Sequence, residues 1–96
     1  MIDDGRPGLT LEACVLLAVA VALDTPGLPS RQVIVRTREA AQTSYRRAGG
    51  ALRQAVGEGL IERQRRVVVG SDGQSREALV CFATAAGRSE VRAAWA

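Results

Sequence analysis

Between Ser44 and Arg66 the chain reads S-Y-R-R-A-G-G-A-L-R-Q-A-V-G-E-G-L-I-E-R-Q-R-R, and its reactive groups are guanidinium and amide. If Ser44 caps a helix running to Glu58, Ala48, Leu52, Ala55, Val56 and Leu60 recur at three- and four-residue steps and line one face. The opposite face carries Arg46, Arg47, Gly50, Arg53 and Gln54, with no carboxylate. Guanidinium pairs bidentately with phosphate and with guanine, and an amide does the same with adenine. The chemistry available to this face is therefore recognition of an anionic polymer.

Little else in the inventory could support catalysis. The chain has no His, no Ser or Cys beside a base, no phosphate-binding glycine loop and no carboxylates paired on one face, so an enzyme is not expected. Gly70 to Gly73 sits in a hairpin-turn setting and not at the start of a nucleotide-binding helix. Two cysteines and no histidine leave no ligand set for zinc, and no cofactor or small-molecule ligand is implied. Cys14 and Cys81 lie in apolar runs and read as reduced core residues, with a redox switch as the alternative.

Charge is segregated along the 96 residues. Residues 31–66 hold nine Arg against Glu39, Glu58 and Glu62, whereas residues 1–30 hold one Arg against four carboxylates, although the whole chain is only +3. All thirteen basic residues are Arg, which suits bidentate contacts, but codon bias toward Arg explains most of that; the clustering says more. Ala13 to Leu23 is uncharged yet too short to span a bilayer, and the acidic residues before it disfavour a signal peptide. A cytoplasmic protein with no membrane partner is expected.

The elements that must position the arginine face can be placed by pattern. Residues 1–9 are acidic and broken by Gly and Pro, a flexible arm ahead of one domain over 10–96. Thr10 caps a first helix that is apolar nearly all round. Such a helix is either a dimer interface or wedged among the others. Asp24 to Pro29 reads as a loop, and Ser30 as the cap of a second helix with Val33, Ile34, Thr37 and Ala41 inward. That helix either breaks near Gln42-Thr43 and restarts at Ser44, or runs on to Gly49-Gly50. The break at Gln42-Thr43 is preferred, because the other choice leaves the next helix too short for so strong a face. It puts a Gly pair inside the third helix, with Gly49 against the second helix and Gly50 leaving room for a backbone.

Beyond Gly59 the β-branched run Val67-Val68-Val69 reads as a strand, residues 70–75 as a turn, and Glu77 to Ala83 as the return strand. Thr84 caps a last helix in which Val91 and Trp95 share a face, with Trp95 packed on the domain or on a partner.

Three helices, a two-stranded hairpin and a closing helix form the order of an α+β, mostly α, winged helix-turn-helix domain. G-L-P-S at 27–30 followed by the stretch 44–63 resembles the DNA-binding domain of GntR-type regulators. G-L-I-E-R at 59–63, D-G-Q-S-R at 72–76 and A-T-A-A-G-R at 83–88 are similar to MarR-type regulators. The link between the second and third helices is about three residues longer than the GntR-type pattern, the wing lacks that family's glycine-rich tip, and Ala83 stands where Leu is usual. No effector-binding domain is expected to follow, which suits a bare DNA-binding module.

The resemblance implies that helix 44–58 enters the major groove of double-stranded DNA. Tyr45, Arg46 and Arg47 would reach base edges or phosphates, Arg53 and Gln54 would lie further along, and Ser44 would cap the helix and touch a phosphate. Arg65, Arg66 and Arg76 would contact the backbone or minor groove from a wing at 67–83. The function implied is a small homodimeric transcriptional regulator, or a plasmid or phage DNA-binding factor, on a pseudo-palindromic site. The competing expectation is a winged-helix protein-interaction module that binds no DNA, which the apolar first helix favours.

Overall fold

The computed structural model describes residues 9–24 and 27–95. Within them, four helices pack over a three-stranded antiparallel sheet: α1 (Leu11–Asp24), β1 (Leu28–Pro29), α2 (Ser30–Ala41), α3 (Tyr45–Gly57), β2 (Ile61–Val69), β3 (Ser75–Ala83) and α4 (Ala85–Trp95). The arm assigned to residues 1–9 lies outside the described residues except for Leu9.

Helix α1 starts where its sequence says it should, with Thr10 Oγ1 accepting from the Ala13 amide at 3.1 Å. It is the centre of the core. Cys14, Val15, Ala18, Val19 and Ala22 are buried, Leu16, Leu17, Ala20, Val21 and Leu23 pack half-buried against the same cluster, and α1 touches α2, α3, α4 and β3. The helix sits among the other elements, as the wedged reading expects, with Leu16, Leu17, Ala20, Val21 and Leu23 still partly exposed.

The sheet has the order β1-β3-β2, one strand more than the hairpin expected from sequence. Leu28 and Pro29, expected in a loop, pair with Cys81 and Val80 of β3. Two residues are too few to show a period, and only the tertiary pairing reveals them. Strand β2 also begins six residues earlier than the Val67 run, because Ile61 to Arg66 pair with Ala83 to Ala78.

Helices α2 and α3 end in the same way. Gln42 adopts a left-handed conformation (φ 50°, ψ 50°), Thr43 N donates to Arg38 O at 3.2 Å and Gln42 N to Glu39 O at 3.3 Å. After α3, Gly59 (φ 76°) plays that part, with Leu60 N on Ala55 O at 2.9 Å and Gly59 N on Val56 O at 3.1 Å. Both are Schellman closures, which reverse the chain after the last helical turn. The break between α2 and α3 thus falls at Gln42-Thr43, and the Gly49-Gly50 pair lies within α3.

One expectation fails on packing. Ser30 does not cap α2; its hydroxyl turns to β3, 3.4 Å from both Leu79 O and Cys81 Sγ, and the helix start has no side-chain cap. Of the two places expected for Trp95, on the domain or on a partner, its 56% exposure excludes the first, whereas Val91, four residues before it, is buried. Thr84 does cap α4, accepting from Gly87 N at 3.0 Å while donating to Gly59 O at 2.6 Å, which ties α4 to the turn after α3. A Cβ at Gly87 would collide with the Leu60 carbonyl, so only glycine lets α4 approach this closely.

Candidate nucleic-acid interface

Helix α3 presents its polar face because its apolar one is used up. Ala48, Ala51, Leu52 and Ala55 are buried, as is Gly49, and Val56 is half-buried against the core. At about 100° per residue, Arg46, Arg47, Gly50, Arg53 and Gln54 fall on the remaining arc of the helix. Ser44 fixes where that arc begins. Its backbone is extended (φ −79°, ψ 157°), its Oγ accepts from Arg47 N at 3.0 Å, and its carbonyl accepts from Ala48 N at 3.0 Å.

Arg46, Arg47 and Arg53 are all exposed, and among the described residues none forms an ion pair with a carboxylate. Arg47 Nη2 donates to the Leu9 carbonyl at 2.6 Å, which lays the start of the described chain beside the first turn of α3. The Arg53 guanidinium folds back toward the helix start, 3.7 Å and 3.8 Å from where Cβ atoms on Gly49 and Gly50 would stand. Arg53 thus lies back along the helix over Gly49 and Gly50, at a distance that a methyl group at either position would also allow. Tyr45, at the first helical position, is 46% exposed and free to meet a ligand. The amide groups of the first turn add positive potential at the same end.

Gln54 does not belong to this group. Its Nε2 donates to Glu58 Oε2 at 2.7 Å, and both line an open groove of about 280 Å³ with Glu12, Val15, Leu16, Leu60 and Glu90. The polar face is not free of carboxylate, as its sequence suggested. It is graded, cationic over the first half of α3 and anionic past its end.

The hairpin divides the remaining candidates. Register places Arg66 opposite Ala78 and Val68 opposite Arg76, so Arg66 and Arg76 share one face; Arg65, opposite Leu79, is on the other. Arg66 lies 5.0 Å over the Phe82 ring and donates to Gln64 Oε1 at 3.2 Å and 2.8 Å, so its guanidinium is held flat on the sheet. Arg76 pairs with Asp72 and Arg65 with Glu77, each at 3.5 Å. Both pairs are largely exposed and weakly held, so they remain exchangeable for a phosphate. The tip is a hairpin turn closed by Gly70 N on Gln74 O at 2.8 Å and by Gln74 N on Asp72 Oδ1 at 3.0 Å.

Three arginines of α2, not singled out by sequence, add exposed positive charge. Arg31, Arg36 and Arg38 are exposed and unpaired with any carboxylate among the described residues. The signal that points to them is the charge segregation over 31–66, which spans α2 as well as α3.

Among the described residues no group of three or more His, Cys, Asp or Glu is disposed to hold a metal ion, and no helix is long and apolar enough to cross a membrane. No protein-family model matches the chain, and no curated protein matches it in sequence. Its functional assignment therefore rests on the geometry of this surface.

Proposed function

We propose that the chain is a duplex-DNA-binding module of winged helix-turn-helix type, a small cytoplasmic transcriptional regulator or related DNA-binding factor acting as paired copies. The first half of α3 enters the major groove, where Arg46, Arg47 and Arg53 meet guanine edges and phosphates, Tyr45 packs at the groove wall and Ser44 approaches a phosphate. Arg66 and Arg76 follow the flanking backbone from one face of the hairpin. Gln54 and Arg65, counted with them on sequence grounds, contribute less, because Gln54 is held by Glu58 and Arg65 lies on the hairpin face opposite Arg66 and Arg76.

One observation supports this most: three exposed guanidinium groups share one arc of a capped helix with no carboxylate partner among the described residues. Uncompensated charge of one sign on a rigid surface costs self-repulsion, which a polyanion relieves. The rival, a protein-interaction module, drew on the apolar surface of α1, much of which its own chain buries.

The test is a polarisation titration of a labelled random duplex of about 30 base pairs, three helical turns, with the wild type and with Arg46→Ala/Arg47→Ala. The double variant is expected to bind roughly 10- to 100-fold more weakly, from about 1–3 kcal/mol for a good base or phosphate contact. No wild-type binding at low salt, or equal binding by both, would count against the proposal.

A further inference from the structure

Strand β2 is an open edge of the sheet. In the order β1-β3-β2 it has a neighbour on one side only, and its nine residues pair with β3 without a bulge, from Ile61 opposite Ala83 to Val69 opposite Ser75. In an antiparallel ladder alternate residues exchange both backbone bonds with the strand opposite, and the residues between them point theirs away. That alternation is fixed at both ends of the hairpin: Thr84 N donates to Leu60 O at 3.0 Å, and Gly70 N donates to Gln74 O at 2.8 Å. The even-numbered residues are therefore the ones bonded to β3. Arg63, Arg65, Val67 and Val69 aim their N–H and C=O groups outward, where no backbone partner meets them among the described residues. Sheets protect such edges with proline, bulges or charge. Here β2 has neither proline nor bulge, and its charge stops at Arg66, leaving Val67 and Val69 69% and 70% exposed.

We infer that the edge from Arg63 to Val69 takes an extended acidic segment of a partner protein as an added antiparallel strand. Carboxylates of that segment stand opposite Arg63 and Arg65, and apolar side chains opposite Val67 and Val69. Charge selects this occupant. The edge strand carries Arg63, Arg65 and Arg66 against Glu62 alone. Across the ladder Glu77 of β3 reaches Arg65 at 3.5 Å, and exposed Arg63 on the same side has no carboxylate partner among the described residues. A second copy of β2 would bring the same excess of arginine against it, and like charges opposite one another oppose pairing. A duplex can meet the arginines but has no row of alternating N–H and C=O groups to complete the ladder. An acidic strand supplies both the bonds and the counter-charge. Few side chains are engaged, so the contact is of the weak, transient class. It rests on the backbone edge of β2 and does not depend on DNA binding.

Polarisation of a labelled peptide, V-S-V-S-E-S-E, titrated with the full chain up to about 1 mM, tests it. The peptide is expected to bind, and V-S-V-S-K-S-K to bind about tenfold more weakly or worse. N-methylation of the amides of its third and fifth residues, which face β2, should abolish binding, whereas methylation at the second, fourth and sixth, which face away, should not. Val67→Pro removes an outward N–H and no bond to β3, a place where an edge strand accepts proline. It should lose the peptide with its circular dichroism unchanged. Arg63→Glu/Arg65→Glu should turn the preference toward the lysine peptide, a gain that a misfolded variant could not show. A wild type that binds no peptide overturns the inference, as does binding that ignores which amides are methylated. So does a wild type that sediments as a dimer and becomes a monomer in Val67→Pro, because the edge would then belong to a second copy. Binding of duplex without peptide removes this inference alone, and binding of peptide without duplex removes the DNA proposal alone.

Discussion

Arg47 illustrates how a residue's role depends on what its neighbours have already used. Its backbone amide is committed to Ser44 Oγ, so its position at the start of α3 is fixed, while its guanidinium makes one hydrogen bond, to the Leu9 carbonyl, and keeps donors free. Arg66 is the opposite case, held by Phe82 and Gln64 before any ligand arrives. Cys81 is likewise committed within the fold, buried with its Sγ 3.4 Å from the Ser30 hydroxyl. Burial pushes its thiol above the ordinary value, against the smaller opposing effects of the Ser30 hydroxyl and the Arg63 charge. A raised thiol means that the folded chain keeps its proton where the unfolded chain has released it. The stabilisation is therefore intact below the ordinary thiol range, about pH 8.5, and is lost as pH climbs above it. Urea unfolding at pH 7, 9 and 10 should show stability falling at both steps, with a smaller fall in Cys81→Ala. A fall of equal size in both would assign it to other groups.

At the level of elements, two substitutions separate what the helices need from what their surface does. Gln42 is a left-handed residue with a side chain at a position glycine usually fills. Gln42→Gly should raise stability by about 1 kcal/mol, read as a higher urea midpoint at constant slope. Gly50 sits inside α3 with only Arg53 Nη2 near a Cβ placed there, at 3.8 Å. Gly50→Ala should therefore stabilise the fold by up to about 1 kcal/mol yet weaken duplex binding, since the methyl group occupies the space left for a backbone. Stability and binding rising together would show that Gly50 has no part in the interface. The same two positions show what was legible. Ser44, the three- and four-residue apolar steps and the Gly59 stop gave α3 nearly to the residue, because each signal is local. The end of α2 was ambiguous, because glutamine stands where a glycine would have announced the turn. Strand β1 and the first half of β2 were not visible at all. Their sequences, Leu-Pro and Ile-Glu-Arg-Gln-Arg-Arg, carry no alternating burial, and the ladder to β3 alone makes them strands.

On the scale of the molecule, charge is sorted by position, with cations over the first half of α3 and along α2, and three carboxylates around the groove beyond the end of α3. The sequence showed the sorting along the chain but not in space; it put Gln54 with the arginines when Glu58 holds it, and it gave no sign that Arg65 and Arg66 face opposite ways. A surface sorted in this way orients an approaching polyanion before contact, and its binding should weaken steeply with salt as counterions are released. The most direct measurement is the salt dependence of duplex affinity for the wild type and for Arg46→Ala/Arg47→Ala/Arg53→Ala. The slope of log affinity against log salt should become shallower by about two to three, at roughly 0.9 for each phosphate that the variant leaves without its arginine, with the fold retained by circular dichroism. An unchanged slope, or no measurable wild-type affinity at the lowest salt, would contradict the assignment of the α3 arginines as the surface that binds DNA.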